Sequence, residues 1–326
     1  MWFGQSHAIA SRQLISISYV IDLTLGAPML ARLIPLLLAA CIANIAGAEP
    51  IQIDTARGPA TVPEDPSTIA VFDIAAIDTL NALGVPIAGT TSNLYVDYLQ
   101  NVADDSVKLG SLFEPDVEGV HALQPDLIVI GGRSSGQLKS LDRIAPTIDM
   151  TIGIDLLQNA VTRLHTYGQI FDREERAAKL ELELNDRLAR ARETVSGKGD
   201  ALVIMTNGPK ISAYGSGGRF GWLHKDVGLA EAAPEIGPSI HGEAVSFEFI
   251  SDVDPDWLIV VDRLSAIGRP GQSAAATLDN PIVHKSKAWK SGQVIYLDAA
   301  EIYISGGGVQ SMMTTLDQII AAFSPA

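Results

Sequence analysis

Pro125–Arg133 reads PDLIVIGGR and Pro255–Arg263 reads PDWLIVVDR. Each phrase opens with Pro-Asp, runs through an apolar segment and closes on arginine, and the two lie 130 residues apart. An unbroken apolar run of strand length predicts a strand covered on both faces, the pattern of a parallel sheet between helical layers. The match extends upstream. Glu118 and Glu248 each stand seven residues before their proline, on short predicted helices leading into the strands. The shared register is Glu-x6-Pro-Asp-x6-Arg. Four positions in one register predict duplicated lobe architecture.

The surroundings of each phrase agree. Before the first, IQIDTARGPATVP reads as a hairpin, and TIAVFD, VPIAGTT and KLGS read as strands alternating with helices. TIDMTI closes this set. From about Asp155 to Val195 the chain has no proline, and DREERAAKLELELNDRLARARETV carries apolar residues at three-to-four spacing on a charged background. That predicts one long helix with a solvated face. Alternation then resumes with ALVIMTNG, KISAYG, WLIVVD and VIYLD, and a last helix spans about Val309 to Phe323. The expected fold is α/β: two Rossmann-like lobes, 49–153 and 198–326, joined by a linking helix over 154–197, with a ligand cleft between them. Strand C-termini face the crevice in such sheets, so Arg133 and Arg263 are expected to converge there. Glu118 and Glu248 are expected on the outer surface, one per lobe.

The chain has 326 residues, 47% hydrophobic and 19% charged, with a formal net charge of −15. That balance argues against nucleic acid as a partner, which needs a basic face. An anionic ligand would need a local cluster of cations. No H-E-x-x-H and no G-x-G-x-x-G opening a helix is present, which disfavours an enzyme on a two-lobed fold. Six histidines are few for a zinc or manganese carrier. His121, His165, His224 and Asp226 fall in helical context and read as structural or solvated. Gly306–Gly308 lacks the Lys-Ser/Thr of a phosphate loop.

Residues 1–48 read as an upstream extension followed by a signal peptide. A second start at Met29 precedes Arg32, an apolar stretch from Leu33 to Ile45 too short for a membrane span, and an A-x-A cleavage site at Ala46-Gly47-Ala48. The mature chain would begin at Glu49 and be periplasmic. The alternative is a lipoprotein anchored through Cys41, in Leu38–Cys41 (LAAC). The mature chain otherwise has no cysteine, hence no disulfide.

Several phrases together resemble a known family: KLGSLFEPDVEGVHALQPDLIVIGGR, YGSGGRFGWLHKDVG, HGEAVSFEFI, PDWLIVVDR, LDNPIVHKSKAWKSGQVIYLD and YISGGGVQSM. They are similar to the siderophore and cobalamin class of periplasmic substrate-binding proteins of ABC importers. Within it they resemble the catecholate branch, which includes petrobactin and enterobactin-fragment binders. The resemblance covers essentially all of Glu49 to Ala326. It implies an arginine triad, Arg133, Arg219 and Arg263, around a ferric catecholate. It also implies His241 and Tyr303 as direct iron ligands when the siderophore is tetradentate, and Glu118 and Glu248 as the pair that docks on arginines of the permease. The chemistry is consistent: three guanidiniums balance a trianionic ferric tris-catecholate, and a phenolate and an imidazole suit the two positions a tetradentate ligand leaves on Fe³⁺. Tyr95 and Tyr98, in NLYVDYLQ, are expected at the first lobe's rim, with one of them, taken as Tyr95, stacking on the ligand.

The expected function is therefore extracytoplasmic capture of a ferric siderophore and its delivery to an inner-membrane ABC permease. The chain would be a monomer with no intrinsic cofactor, the ferric siderophore being cargo. Haem, a hydroxamate siderophore or cobalamin are the alternatives within the class, and an enzyme is the reading outside it.

Overall fold

The apolar runs become the centres of two sheets. In the computed structural model, which describes residues 50–324, Leu127–Ile130 is a strand with all four residues buried. After a hairpin of β1 (Ile51–Thr55) and β2 (Gly58–Val62), the first sheet comprises β3 (Ile69–Val71), β4 (Gly89–Thr90), β5 (Val107–Lys108), β6 (Leu127–Ile130) and β7 (Thr147–Asp149). It is parallel throughout, in the order β5-β4-β3-β6-β7. The signal-peptide reading, the cleavage site at Ala46–Ala48 and Cys41 lie outside the described residues. No helix among the described residues is long and apolar enough to cross a membrane.

The second sheet is mixed. It holds β8 (Asp200–Asn207), β9 (Lys210–Tyr214), β10 (Ala230–Glu231), β11 (Glu243–Val245), β12 (Trp257–Asp262) and β13 (Val294–Tyr296). β8, β12 and β13 run parallel, β10 adds in parallel to β8, and β9 and β11 are antiparallel to their neighbours. A two-residue turn, Gly208-Pro209, joins β8 to β9 with Asn207 opposite Lys210. Gly208 has φ +58, a conformation that glycine adopts without the Cβ penalty.

The repeated register has the same construction in both lobes. Helix α1 (Ile74–Leu83) follows β3, and α2 (Val117–Leu123) precedes β6. Its counterpart in the second lobe, Phe247–Val253, precedes β12. Asp116 and Ser246 cap the two helices by accepting from Gly119 N and Phe249 N. Each helix ends on a left-handed residue, Gln124 at φ 51 and Asp254 at φ 49, directly before the proline. Proline stops the helix. The aspartate after it ties the strand to its neighbour: Asp126 accepts from the backbone N–H groups of Ser67 and Thr68, and the carboxylates of Asp256 and Asp200 each accept the other residue's backbone N–H. A Cβ on Gly199 would lie 2.3 Å from the Asp256 carboxylate, so that clamp needs glycine.

The expected linking helix is present as α4 (Glu174–Val195), which buries Ala177, Leu180, Leu184, Leu188, Ala191 and Val195 along one stripe. The helical stretch before it is a separate helix, α3 (Leu156–Ile170). Asp172 at φ 53 reverses the chain between them, and Gly168 lets Ala177 approach to where a Cβ would meet it at 2.9 Å. The linking segment 154–197 thus holds two helices, because the break rests on one left-handed residue rather than on a proline or glycine.

After α5 (Phe247–Val253), the C-terminal helix α6 (Val309–Phe323) packs on both α4 and α1. One hydrophobic cluster consequently runs from Val71 and Leu80 in the first lobe to Val203, Ile259 and Leu316. Asp78 of α1, fully buried, accepts from Gln310 N (2.8 Å), Ser311 N (3.0 Å) and the hydroxyls of Ser311 and Tyr98. A carboxylate there complements the positive end of α6. A shared core and a buried polar clamp hold the lobes together behind the cleft.

Candidate functional site

The two phrase-ending arginines come to the same place. Arg133 follows β6 on a short 3-10 turn, Gly132–Gln137, and Arg263 starts the short helix after β12. Because Asp262 pairs with Thr206, the next residues, Arg263 and Asn207, leave their strands side by side, and Arg263 Nη1 donates to Asn207 Oδ1 at 3.3 Å. The third arginine, Arg219, comes from the glycine-rich loop after β9 and donates to the Ile240 carbonyl at 3.3 Å.

Tyr303 stands at the centre. It lies on a π-helical turn, Ala300–Ile304. Arg263 Nε donates to its hydroxyl at 3.3 Å, and the guanidinium carbons of Arg133 and Arg219 each lie 5.1 Å from its ring centre. Arg133 also donates to the carbonyls of Tyr303 (3.0 Å) and Ile304 (3.4 Å). Two cations at that distance from one ring are in cation–π range. None of the three arginines has a carboxylate partner within the described residues.

The electrostatics follow from this crowding. Burial works to raise the Tyr303 pKa, but the Arg263 hydrogen bond and the three nearby guanidiniums outweigh it, so the phenol is more acidic than usual. Among the shifted tyrosines it alone moves down; burial pushes its neighbour Tyr214 up to about 12. Desolvation and the charge of Arg133 lower the pKa of Arg219. These are the marks of a cation cluster with no salt-bridged counter-ion among the described residues, although the buried carboxyl of Asp73 lies near Arg133.

Two adjoining cavities open onto the cluster. One, of about 600 Å³, is lined by Arg133, Arg219, Tyr303 and apolar Phe113, Ile152, Ile154, Leu156 and Ile240. The other, of about 330 Å³, is lined by Arg219, Arg263, Tyr303, His241, Asn207 and Lys210 among others. No aspartate or glutamate lines either. His241 thus shares a cavity with Tyr303, and its backbone carbonyl accepts from Tyr214 at 3.0 Å while its ring makes no hydrogen bond within the described residues. The arrangement can neutralise a polyanion of small-molecule size and offer a phenolate and an imidazole to a hard cation within it.

Tyr95 is not brought to this cluster. It lines a separate cavity with Asp97, Asp298 and Glu301, because the strand-to-helix loop that carries it runs past the other face of the Ala300–Ile304 turn. Glu118 and Glu248 sit at the second position of α2 and α5 and are exposed. His224 is structural: buried, its Nδ1 pairs with the Leu229 carbonyl at 2.9 Å. His165 pairs with Glu181 on the surface. Motif reading missed Lys210, which the β8–β9 turn places at the cavity, and the apolar rim of Phe113, Ile154 and Ile240. Their signal was exposure of large apolar groups, at 61%, 41% and 51%, which a linear sequence does not display.

The chain belongs to the periplasmic binding protein family, whose profile matches residues 69–301. It is 38% identical over 265 residues to the petrobactin-binding protein YclQ of Bacillus subtilis, covering 79% of this chain and 83% of that protein. The crystal structure of YclQ superimposes with a TM-score of 0.81 at 35% identity, over 85% of this chain and all of that one (100%). The ferric-anguibactin-binding protein FatB of Vibrio anguillarum is 30% identical over 285 residues, 84% of this chain and 88% of that protein. The periplasmic catecholate-siderophore binding protein VctP of Vibrio cholerae matches with a TM-score of 0.75 at 29% identity, over 84% of this chain and 99% of that one. The two-lobed α/β architecture is that of these structures.

Proposed function

We propose that this protein captures a ferric catecholate siderophore and hands it to an ABC permease for iron uptake. The observation that carries the reading is the grouping of Arg133, Arg219 and Arg263 around Tyr303, none of them salt-bridged to a carboxylate among the described residues, with buried Asp73 the one acidic residue lining the small pocket beside Arg133 and Arg219. A ferric tris-catecholate is a compact trianion, and three guanidiniums match its charge and its oxygen-rich surface. With a tetradentate ligand, Tyr303 and His241 complete the iron's coordination, the acidified phenol being ready to ionise. The similarity to binders of petrobactin, ferric anguibactin and catecholates supports the same ligand class. Hydroxamate siderophores and cobalamin would leave the guanidiniums uncompensated, and haem would balance them only through its propionates.

The remaining parts follow from that reading. The domains are the lobes 49–153 and 198–326 with 154–197 linking them. Glu118 and Glu248, one exposed on each lobe, dock on basic residues of the permease in the inner membrane. The chain works as a monomeric binder without catalysis, in the periplasm after cleavage near Ala48 or held there by lipid on Cys41. Titration of the purified protein with ferric bis- and tris-catecholates, followed by intrinsic fluorescence and by the ligand-to-metal band, tests it. Saturable binding is expected, weaker for the iron-free ligand; no response to any ferric catecholate would overturn it.

A further inference from the structure

Charge is spread unevenly along the cleft. Arg219 and Tyr303 line both of the cavities that open onto the cluster. Beyond them, on one side, lie Arg133 and the apolar Phe113, Ile152, Ile154 and Leu156. On the other side lie Arg263, Lys210, Asn207 and Ser212. Strand register explains this second wall. Lys210 opens β9 directly after the Gly208-Pro209 turn and pairs with Asn207, and residues opposite each other in an antiparallel pair show their side chains on one face. Alternation puts Ser212 and Tyr214 on that same face, and all four line the cavity of about 330 Å³. Asn207 Oδ1 already accepts from Arg263, which leaves the Asn207 amide N–H groups and the Ser212 hydroxyl as donors beside Lys210. Lys210 is exposed, and its ammonium makes no salt bridge among the described residues.

Lys210 is thus a fourth cation at a site whose three arginines already match a ferric tris-catecholate trianion. A bis-catecholate leaves a larger surplus, because Fe³⁺ with two dianionic catecholates is a monoanion and an added Tyr303 phenolate makes it only a dianion. Buried Asp73 does not offset Lys210: it lines the small pocket with Arg133 and Arg219, not the cavity that holds the lysine. Taking the cargo to be a ferric catecholate, as proposed, we infer that Lys210 is a specificity-determining residue that takes a carboxylate carried on the siderophore's backbone, outside the iron's coordination shell. An ammonium on a flexible stem is a compact charge with three donors, able to follow an anion placed away from the metal. Asn207 and Ser212 add donors at its side. On the apolar side the one cation beyond Arg219 is Arg133, which already donates to the carbonyls of Tyr303 and Ile304. The ligand therefore seats in one orientation, its anionic end toward the β8–β9 turn.

Two ferric bis-catecholates built on ornithine, one with its carboxylate free and one as the primary amide, test this by fluorescence titration of the purified chain. The parent should favour the carboxylate by about fivefold, the upper range for a partly exposed ion pair, and high salt should narrow that preference. Lys210→Met should bind the amide within about twofold of the parent and lose the preference, while Lys210→Arg should keep it. The side chain is exposed beside a turn, so the folding of these variants is not at issue. Equal affinity of the parent for the two complexes would overturn the assignment. So would a preference that survives Lys210→Met, or a loss in that variant that falls equally on both complexes. Binding of neither complex to the parent would instead refute the ferric-catecholate reading on which the role of Lys210 stands.

Discussion

Replacing Arg219 by methionine should make the empty protein more stable and the binder worse. Two guanidinium carbons each 5.1 Å from the Tyr303 ring centre lie no more than about 10 Å apart. At that separation the Arg133–Arg219 repulsion is about 0.4 kcal/mol in a water-like medium and about 1.7 kcal/mol at an effective dielectric constant of 20. Arg219 gives up less than the larger of those figures when removed: a long hydrogen bond to the Ile240 carbonyl, at 3.3 Å, and a cation–π contact with Tyr303 worth about 0.5–1 kcal/mol. Methionine keeps the stem's apolar packing. The melting temperature of the ligand-free protein should therefore rise by about 1–5 °C. A charge-assisted bond to the ligand is worth about 1.5–3 kcal/mol, so affinity for a ferric catecholate should fall about 10- to 150-fold. Differential scanning calorimetry and fluorescence titration measure the two quantities on one preparation. A variant that melts lower and binds as well as the parent would refute the reasoning, because it would make Arg219 a structural residue.

Tyr303→Phe or His241→Ala should shift or remove the charge-transfer band of a bound ferric bis-catecholate; an unchanged spectrum takes that residue off the iron. Charge reversal at Glu118 and Glu248 together should stop uptake in cells while leaving ligand affinity in solution within twofold, and a matching loss of affinity would exclude docking as their role. Burial and the neighbouring Asp298, Asp78 and Asp97 push Glu301 up to about 8. The folded protein then holds a proton there that the unfolded chain releases near its ordinary value of 4.5, so stability is full below about pH 4.5 and declines as pH rises to about 8. At about 1.4 kcal/mol for each pH unit crossed, the loss is about 5 kcal/mol. Denaturant titrations at pH 5 and pH 8.5 should show it in the parent and not in Glu301→Gln; equal slopes in the two proteins would contradict it.

The duplicated phrase was legible in the sequence because it is local. Proline, aspartate and an apolar run impose a helix stop, a clamp and a buried strand wherever they occur, and both lobes build them alike at Gln124–Ile130 and Asp254–Val260. The antiparallel β8–β9 pair was also written there, in Asn207-Gly208 between two apolar runs, but the surrounding alternation of strands and helices suggested a parallel sheet. The convergence of Arg133 and Arg263 followed from strand polarity. Arg219 and Tyr303 did not, since each rides on a loop or turn whose course depends on packing against the other lobe. Tyr95 shows the limit from the other side: the sequence suggests a rim position stacking on the ligand, yet the structure places Tyr95 in a cavity separate from the one lined by Arg133, Arg219 and Tyr303. Resemblance to a family supplied roles for the arginines, and geometry showed them grouped without a salt-bridged carboxylate among the described residues.

The central claim is that the cleft selects its ligand by three positive charges. The most direct test compares the parent with the triple variant Arg133→Met, Arg219→Met, Arg263→Met, titrating each with a ferric catecholate and with a neutral ferric tris-hydroxamate. The parent should prefer the catecholate by at least about 100-fold, roughly 2.7 kcal/mol, and the triple variant should lose that preference. Equal affinity of the parent for both ligands, or a preference that survives without the arginines, would contradict the account.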